Sequence, residues 1–204
     1  MTSANSLIPS SDIHDAYAQT EGNTTNPSLS YTDPSTGITF QYPSSWEILD
    51  VTPSLLPPET VSAIRLIPPG QNATHGFVDN AIISVLNVAN TTLDQYTDEV
   101  IGVYNNSFSN TITITKSEPT TFAGNPAHSI EFLEDSQGQQ LHKRQVWTLV
   151  GNHVYLLTYA SDESEFSQHL AEVQAIIESL QIGEGDQVQQ QHLQPQRESV
   201  VLFL

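Results

Sequence analysis

Residues 140–160, QLHKRQVWTLVGNHVYLLTYA, are the stretch that decides the fold class. Two runs rich in β-branched and aromatic residues flank Gly151-Asn152, a pair that favours a two-residue hairpin turn. A loop of that length places Val150 directly opposite His153. The sequence therefore predicts a long antiparallel hairpin.

Both faces of this hairpin are apolar. Side chains alternate between the two faces of a strand, so the hairpin residues divide into two sets. One set is Trp147, Leu149, Val154 and Leu156, and the other is Val146, Val150, Tyr155, Leu157 and Tyr159. A sheet that is apolar on both sides has to be covered on both sides. We therefore expect an α+β fold, an α/β/α sandwich whose central antiparallel sheet carries helices on both faces.

Two amphipathic segments are available to cover the sheet. Apolar residues recur at helical spacing over residues 92–104, and Thr92 with Gln95 matches a capping box. The second predicted helix runs from Asp162 to Leu180, with an acidic start that suits the helix dipole and Gly183 as its stop. Further strands are predicted from a period of two or from short apolar runs at 38–42, 60–67, 81–88, 110–117 and 127–133.

The sharpest local signature is Gly37-Ile38-Thr39-Phe40-Gln41-Tyr42-Pro43-Ser44-Ser45-Trp46. It resembles the opening of the PsbP-like family, in which a glycine-led strand is followed by Tyr-Pro and a tryptophan. The central Gly124-Asn125-Pro126-Ala127 before Glu131-Phe132, and the closing Ile177-Glu178-Ser179-Leu180, are similar to motifs of the same family. The resemblance covers roughly residues 31–182.

That family includes the photosystem II extrinsic protein, bacterial and archaeal relatives, and a Ran-binding nuclear-import factor of the same fold. The resemblance implies the α/β/α sandwich already expected from the hairpin, and a non-enzymatic accessory or binding role. It does not imply photosynthesis, because the leader lacks the basic segment of the plant protein. A stand-alone prokaryotic member, archaeal and either secreted or surface-attached, is the expected type, and the polar acidic composition favours an extracellular setting.

The charge balance excludes several classes of partner. The 204 residues include 23 acidic and 5 basic side chains, which gives a formal net charge of −18. Nucleic acids and anionic membrane surfaces are bound through clustered Lys and Arg, so we expect neither as a partner. Without cysteine, disulfides, thiolate nucleophiles and cysteine-based zinc sites are excluded. The negative charge remains compatible with basic proteins and divalent cations as binding partners.

The composition divides the chain into three regions. Residues 1–28 are predicted to be a flexible polar leader, residues 29–183 the PsbP-like domain, and residues 184–204 a disordered Gln-rich tail with an apolar end. The start lacks the basic and apolar segments of a signal peptide. No apolar run approaches the roughly 20 residues of a membrane span.

The candidate site residues fall into two groups. Tyr42, Pro43 and Trp46 are the candidates for contacting a protein partner, although Trp46 and Trp147 also suit the core. A carboxylate cluster can hold a hard cation or be a solvated face, and the metal candidates are Glu131, Glu134 and Asp135. The first predicted helix carries a further acidic set, Asp94, Asp98 and Glu99.

Three functions are consistent with these patterns. The first is a non-enzymatic module that binds a protein partner, which predicts an exposed apolar patch near the Tyr42–Trp46 bend or on a sheet edge. The second is a metal-ion or small-ligand binding protein, which predicts acidic side chains converging at one concave spot. The third is a hydrolase, which requires a buried histidine within hydrogen-bonding reach of a serine or an aspartate in a pocket. No catalytic motif is present, so we expect no enzyme and no cofactor other than a divalent cation.

Overall fold

The computed structural model describes residues 27–51, 56–71 and 77–183. The described strands are β1 (Ser28–Thr32), β2 (Ile38–Pro43), β3 (Glu47–Asp50), β4 (Thr60–Ile67), β5 (Asn80–Asn87), β6 (Ile112–Phe122), β7 (Asn125–Ser136), β8 (Gln139–Val150), β9 (His153–Asp162) and β10 (Gln181–Ile182). The described α-helices are α1 (Leu93–Ser107) and α2 (Leu170–Ser179).

A seven-stranded antiparallel sheet forms the centre of the fold. Its strand order is β3-β4-β5-β9-β8-β7-β6. The predicted hairpin is confirmed as β8 and β9, with Val150 paired to His153 and Trp147 paired to Leu156. Gly151 has a φ of 61°, and this left-handed conformation suits a glycine at the first position of a two-residue turn. The local turn chemistry therefore sets the register of the central strands.

Helices cover both faces of the sheet, as predicted. On the first face, called here the α1 side, Tyr96, Val100 and Tyr104 of α1 pack on Trp147 and Leu156. On the opposite face, the α2 side, α2 packs on the other set of hairpin residues. The buried members of that second cluster from α2 and the hairpin are Val146, Tyr155, Leu157, Tyr159, Val173, Ile176 and Ile177. The α/β/α sandwich is thus the observed architecture.

The first helix begins where the sequence predicts. The Thr92 hydroxyl accepts a hydrogen bond from the Gln95 backbone N–H at 3.2 Å. The Gln95 side chain in turn accepts one from the Thr92 backbone N–H at 3.0 Å. These two bonds satisfy backbone donors that a helix start leaves without partners. The helix runs three residues beyond the predicted end at Tyr104.

The prediction of one helix from Asp162 to Leu180 is wrong. Asp162 still belongs to β9, where it pairs with Leu141, and its carboxylate accepts bonds from the backbone and hydroxyl of Ser164. A short 3-10 turn, Phe166–Gln168, follows before α2 begins. The apolar spacing of Phe166 imitates a helical stripe, but its ring stacks on His142 with centroids 3.6 Å apart. Tertiary packing therefore overrides the local period.

A second, three-stranded sheet, β1-β2-β10, lies beside α2. The Asp33-x-Ser35-x-Gly37 segment resembles a calcium loop faintly, but the structure forms the expected turn, since the Asp33 carboxylate accepts bonds from Ser35. The short β10 directly follows α2 and pairs with β2. The Gly183 N–H then donates to the Gly37 carbonyl at 3.2 Å, which ties the end of the described chain to the turn.

The predicted terminal regions are not tested by the structure. Almost all of the expected leader, and all of the tail 184–204 with its apolar end, lie outside the described residues. Within the described ranges, no helix is long and apolar enough to cross a membrane.

Candidate functional site

Trp46, a predicted partner contact, is a buried anchor for α2. Its exposed fraction is 4%, and its indole N–H donates to Glu172 Oε2 at 3.2 Å. The same Glu172 oxygen lies 2.7 Å from Nδ1 of His169, whose ring meets the indole edge-on at 5.6 Å. One carboxylate thus joins the bend after β2 to the start of α2. Trp46 is therefore a core residue, which is one of the two roles that its sequence context allowed.

The other two predicted partner contacts are half-buried. Tyr42 packs against Phe40 at a ring distance of 6.1 Å, and it pairs across the small sheet with Leu29. Leu29 is 47% exposed, whereas Tyr42 and Pro43 are only partly accessible. The bend therefore presents one aliphatic side chain to solvent rather than an aromatic platform.

The three metal candidates on β7 do not converge. Glu134 faces the α1 side, where it forms an ion pair with Lys143 at 2.5 Å. Glu131 faces the α2 side, with His142 and Arg144 each 3.9 Å away. Asp135 accepts a hydrogen bond from the backbone of the turn that follows β7. The period of two along a strand places Glu134 on the face opposite Glu131, and Asp135, four residues beyond Glu131, is bonded to the turn.

The acidic residues of α1 are likewise a solvated face, because Asp94, Asp98 and Glu99 are all exposed. In the described part of the chain, no three His, Asp or Glu side chains stand close enough together to hold a metal ion. A divalent-cation site built from the predicted residues therefore has no geometric support.

A different set of acidic residues lines a concave cleft. Asp79, Asp162 and Glu165 border a cavity of about 400 Å³ together with Gln71 and Gln139. A shallower depression along Gln137–Gln140 and Glu163 adjoins it. Among the described residues, no basic side chain lines either one. Such a cleft can accept hydrogen bonds from amines and hydroxyls.

Hydrogen bonds fix the walls of this cleft. Asp79 is 2% exposed, and its Oδ1 accepts the backbone N–H of Asp162 at 3.2 Å. Its own backbone N–H donates to the side chain of Gln71 at 3.0 Å. These residues come from distant segments, with Asp79 and Asp162 standing 83 positions apart, so no local sequence pattern indicates the cleft.

A serine and a histidine do lie within hydrogen-bonding distance. Ser117 Oγ is 2.9 Å from His128 Nε2, and burial lowers the pKa of His128, which favours its neutral form. Ser117 is exposed, however, and neither residue lines the acidic cleft. No described carboxylate accepts a bond from the other ring nitrogen. Within the described ranges, the pair therefore stands apart from the acidic cleft and has no orienting acid of the kind that a hydrolase uses.

A row of three side chains crosses the sheet where α1 does not reach. Leu49 on β3 stands opposite Arg65 on β4, and Arg65 stands opposite Ile82 on β5. These three residues are called here the Arg65 row. The cluster beneath α1 includes no residue of β3 or β4. Leu49 is 37% exposed, and the other two are half-buried.

Arg65 differs from the other described basic residues. Lys116, Lys143 and Arg144 each have a carboxylate within 4.0 Å. Arg65 has none among the described residues, and its Nε is buried without a hydrogen-bond partner. An unpaired guanidinium between two aliphatic side chains is suited to receive a carboxylate together with an apolar group. The sequence did not indicate that Arg65 would stand apart from the described carboxylates.

Comparison of folds identifies similar solved structures. The cyanobacterial PsbP (CyanoP) of Synechocystis sp. PCC 6803 aligns over 79% of this chain and 96% of its own, with a TM-score of 0.54 and 12% identity. A protein of Bacteroides thetaiotaomicron aligns over 76% of this chain with a TM-score of 0.52 and 12% identity, and the alignment spans 48% of that longer protein. The Saccharomyces cerevisiae Ran-binding protein Mog1p aligns over 78% of this chain and 96% of its own, with a TM-score of 0.47 and 10% identity.

At these identities, the CyanoP and Bacteroides similarities establish the fold alone. Among curated proteins, none matches the sequence significantly. The sequence model of a family described as "PsbP-like protein" matches residues 8–182, most of the chain. The chain therefore belongs to the PsbP-like family.

Proposed function

We propose that this protein is a non-enzymatic binding module that engages a protein partner outside the cell or at its surface. The observation that carries the proposal is the Arg65 row, where an arginine that no described carboxylate pairs with lies between an exposed and a half-buried aliphatic side chain. Membership of the PsbP-like family and a serine–histidine pair without a pocket favour binding over catalysis.

The partner is expected to place a carboxylate against Arg65 and an aliphatic side chain against Leu49. In a chain with a net charge of −18, long-range attraction favours a partner that is basic overall. The Arg65 row adds a local requirement, since a guanidinium left unpaired forms charge-assisted hydrogen bonds with an incoming carboxylate. Overall charge would then bring the partner close, and the row would set its orientation.

The test uses three short capped peptides, Val-Glu-Val, Val-Gln-Val and Val-Lys-Val, titrated into isotopically labelled protein. We expect the Val-Glu-Val peptide to shift backbone amide signals of β3, β4 and β5, and the other two to shift them far less. Arg65→Gln should abolish the response. Lys116→Gln, which removes a basic charge from the opposite sheet edge, should retain it. Equal shifts with all three peptides, or shifts confined to other strands, would refute the proposal.

A small-ligand role is the second candidate, and the acidic cleft is the observation that favours it. The cleft volume of about 400 Å³ lies within the range of ligand pockets. A thermal melt of EDTA-treated protein with and without Ca²⁺, Mn²⁺ or Zn²⁺, at constant high ionic strength, tests the cation version. A specific site filled at 100 times its dissociation constant adds about 2.7 kcal/mol. An unchanged melting temperature with every ion would remove the cation version.

A further inference from the structure

The strand β6 is an open edge of the seven-stranded sheet. It stands last in the strand order, and no described strand pairs with its outer side. Most of its eleven residues are exposed, including Thr113 and the run Thr115–Pro119. An exposed strand edge offers unpaired backbone groups to another strand.

Strands β6 to β8 carry three basic and four acidic side chains, which is far closer to neutral than the chain as a whole. Three of the four described basic residues lie on β6 and β8, each within 4.0 Å of a carboxylate. The charges of Lys116 and Glu118 on β6 itself cancel, and their charged atoms are 2.7 Å apart. Two copies of a chain that carries 23 acidic and 5 basic residues would meet here with little repulsion between opposed groups.

The sequence of β6 is complementary to itself about Ser117. With a two-fold axis at Ser117, antiparallel pairing of two copies sets Lys116 of each opposite Glu118 of the other. The irregularity between Ile114 and Lys116 keeps Ile114 and Ser117 on one face, since they pair with Phe132 and Ile130. Lys116 and Glu118 then share the other face, so each cross-strand pair matches in charge.

The same register continues outward from the axis. Allowing for the bulge at Thr115, Ile114 meets Pro119 of the second copy, and Thr113 meets Thr120. The first is an apolar pair and the second is a threonine pair, two kinds of cross-strand contact that favour a sheet. The Thr115 hydroxyl already donates to the Glu131 carbonyl at 3.0 Å, so the bulged residue does not need the new strand.

We propose that β6 pairs antiparallel with β6 of a second copy, joining two seven-stranded sheets about a two-fold axis at Ser117. Lysine and proline on an edge strand commonly prevent such pairing. In this register, Lys116 gains an acidic partner, and Pro119 lies against an aliphatic side chain. A symmetric interface of this kind uses one patch on both copies. It leaves the Arg65 row, at the opposite edge of the sheet, accessible.

Sedimentation of the full chain tests the pairing, at about 0.15 M and about 0.5 M NaCl, where long-range repulsion is screened. We expect a concentration-dependent dimer, favoured by the higher salt. Lys116→Glu places four carboxylates close together at the axis, two from each copy, and should weaken the dimer at least about tenfold. The double variant Lys116→Glu with Glu118→Lys restores the complementary charges and should restore the dimer.

A matched control separates this effect from net charge. Asn105→Glu with Asn106→Glu also adds two negative charges, at exposed positions of α1, and should leave the dimer unchanged. A monomer at protein concentrations up to about 1 mM would overturn the proposal. So would a dimer that tolerates Lys116→Glu, or one that the double variant fails to restore.

Discussion

The α1 side and the α2 side of the sheet differ in the contacts that hold their helices in place. On the α1 side, Trp147 donates to Thr97 and Tyr104 donates to Gln145, and both bonds are buried. On the α2 side, the helix presents Val173 and Ile176, both 0% exposed. The bond from Trp46 to Glu172, at the margin of that helix, is only partly buried.

The two sides thus illustrate two ways in which a sequence specifies its core, through particular polar partners and through side-chain volume. Buried polar groups require particular partners, so the α1 side should tolerate little change in any one of them. Burial raises the pKa of the Tyr104 hydroxyl despite its bond to Gln145, so this group stays a neutral donor at physiological pH. On the α2 side, Tyr159 still donates a buried bond to the Phe166 carbonyl, but the contact of α2 itself depends on volume, so the tolerance of that helix should follow side-chain size.

The largest effect is expected from Glu134→Leu on the α1 side. Lys143 is 5% exposed, and the substitution leaves its ammonium buried without its ion-pair partner. Removing one member of a buried pair costs about 3–5 kcal/mol. Urea unfolding measures the loss, and adding Lys143→Met should recover much of it. Glu99→Leu, which removes an exposed carboxylate of α1 outside any ion pair between described residues, is the matched control and should change stability little. A loss that the double variant does not reduce would contradict the role of the pair.

The next effect is expected from Ile176→Ala on the α2 side. Truncating a fully buried aliphatic side chain leaves a cavity, and a loss of about 3 kcal/mol is typical. Ile176→Val removes a single methylene and should cost about 1 kcal/mol. Denaturant unfolding of both variants measures the dependence on volume. If the valine variant were as unstable as the alanine variant, this side would depend on shape as strictly as the α1 side.

The sequence predicted those parts of the fold that depend on neighbouring residues. The β8–β9 register follows from Gly151-Asn152 and the alternation around it, and the start of α1 follows from Thr92 and Gln95. The start of α2 did not follow, because Phe166 has helical spacing while Asp162 continues a strand. The spacing of apolar residues along the chain contains no information about the stacking of Phe166 on His142, which is a tertiary contact.

The candidate sites were less predictable because they depend on long-range proximity. Trp46 and Glu172 are 126 positions apart, and their bond exists only after α2 folds back on the sheet. Glu131, Glu134 and Asp135 are close in sequence, yet strand alternation places Glu134 and Glu131 on opposite faces. That no described carboxylate pairs with Arg65 depends on where those acidic residues lie in the fold, which no short motif encodes.

A smaller effect is expected from Gly183→Ala, which tests how the α2 side is closed. A methyl group at Gly183 would lie 2.8 Å from the Gly37 carbonyl oxygen, a backbone atom. Strand β10 must therefore move away from the turn before β2, and overpacking of this kind costs about 1–3 kcal/mol. Amide hydrogen exchange should show faster opening of β2 and β10 while α1 is unaffected. Uniform acceleration across both sides would show that the two sides are not separable.

Thr92→Ala tests the N-terminal cap of α1 alone. The substitution removes the side-chain acceptor for the Gln95 N–H and should cost about 1 kcal/mol. Thr91→Ala is a suitable control, because the Thr91 hydroxyl bonds only to a neighbouring carbonyl and should matter less. Thermal melts compare the two variants, and equal losses would argue against the capping box.

The smallest effect is expected from Asp33→Asn, and it should depend on pH. Burial alone would raise the pKa of Asp33, but hydrogen bonds from Thr36, Ser62 and Ser35 outweigh it and lower the pKa. A carboxyl with a lowered folded-state pKa stabilises the fold above its unfolded pKa of about 3.9 and loses that contribution as pH falls through the folded value. The asparagine variant should therefore melt below the parent at neutral pH, and the two should converge in acid. Since Asp33 also bonds to Ser62 on β4, a difference that persisted in strong acid would assign the Asp33 turn a packing role instead of an electrostatic one.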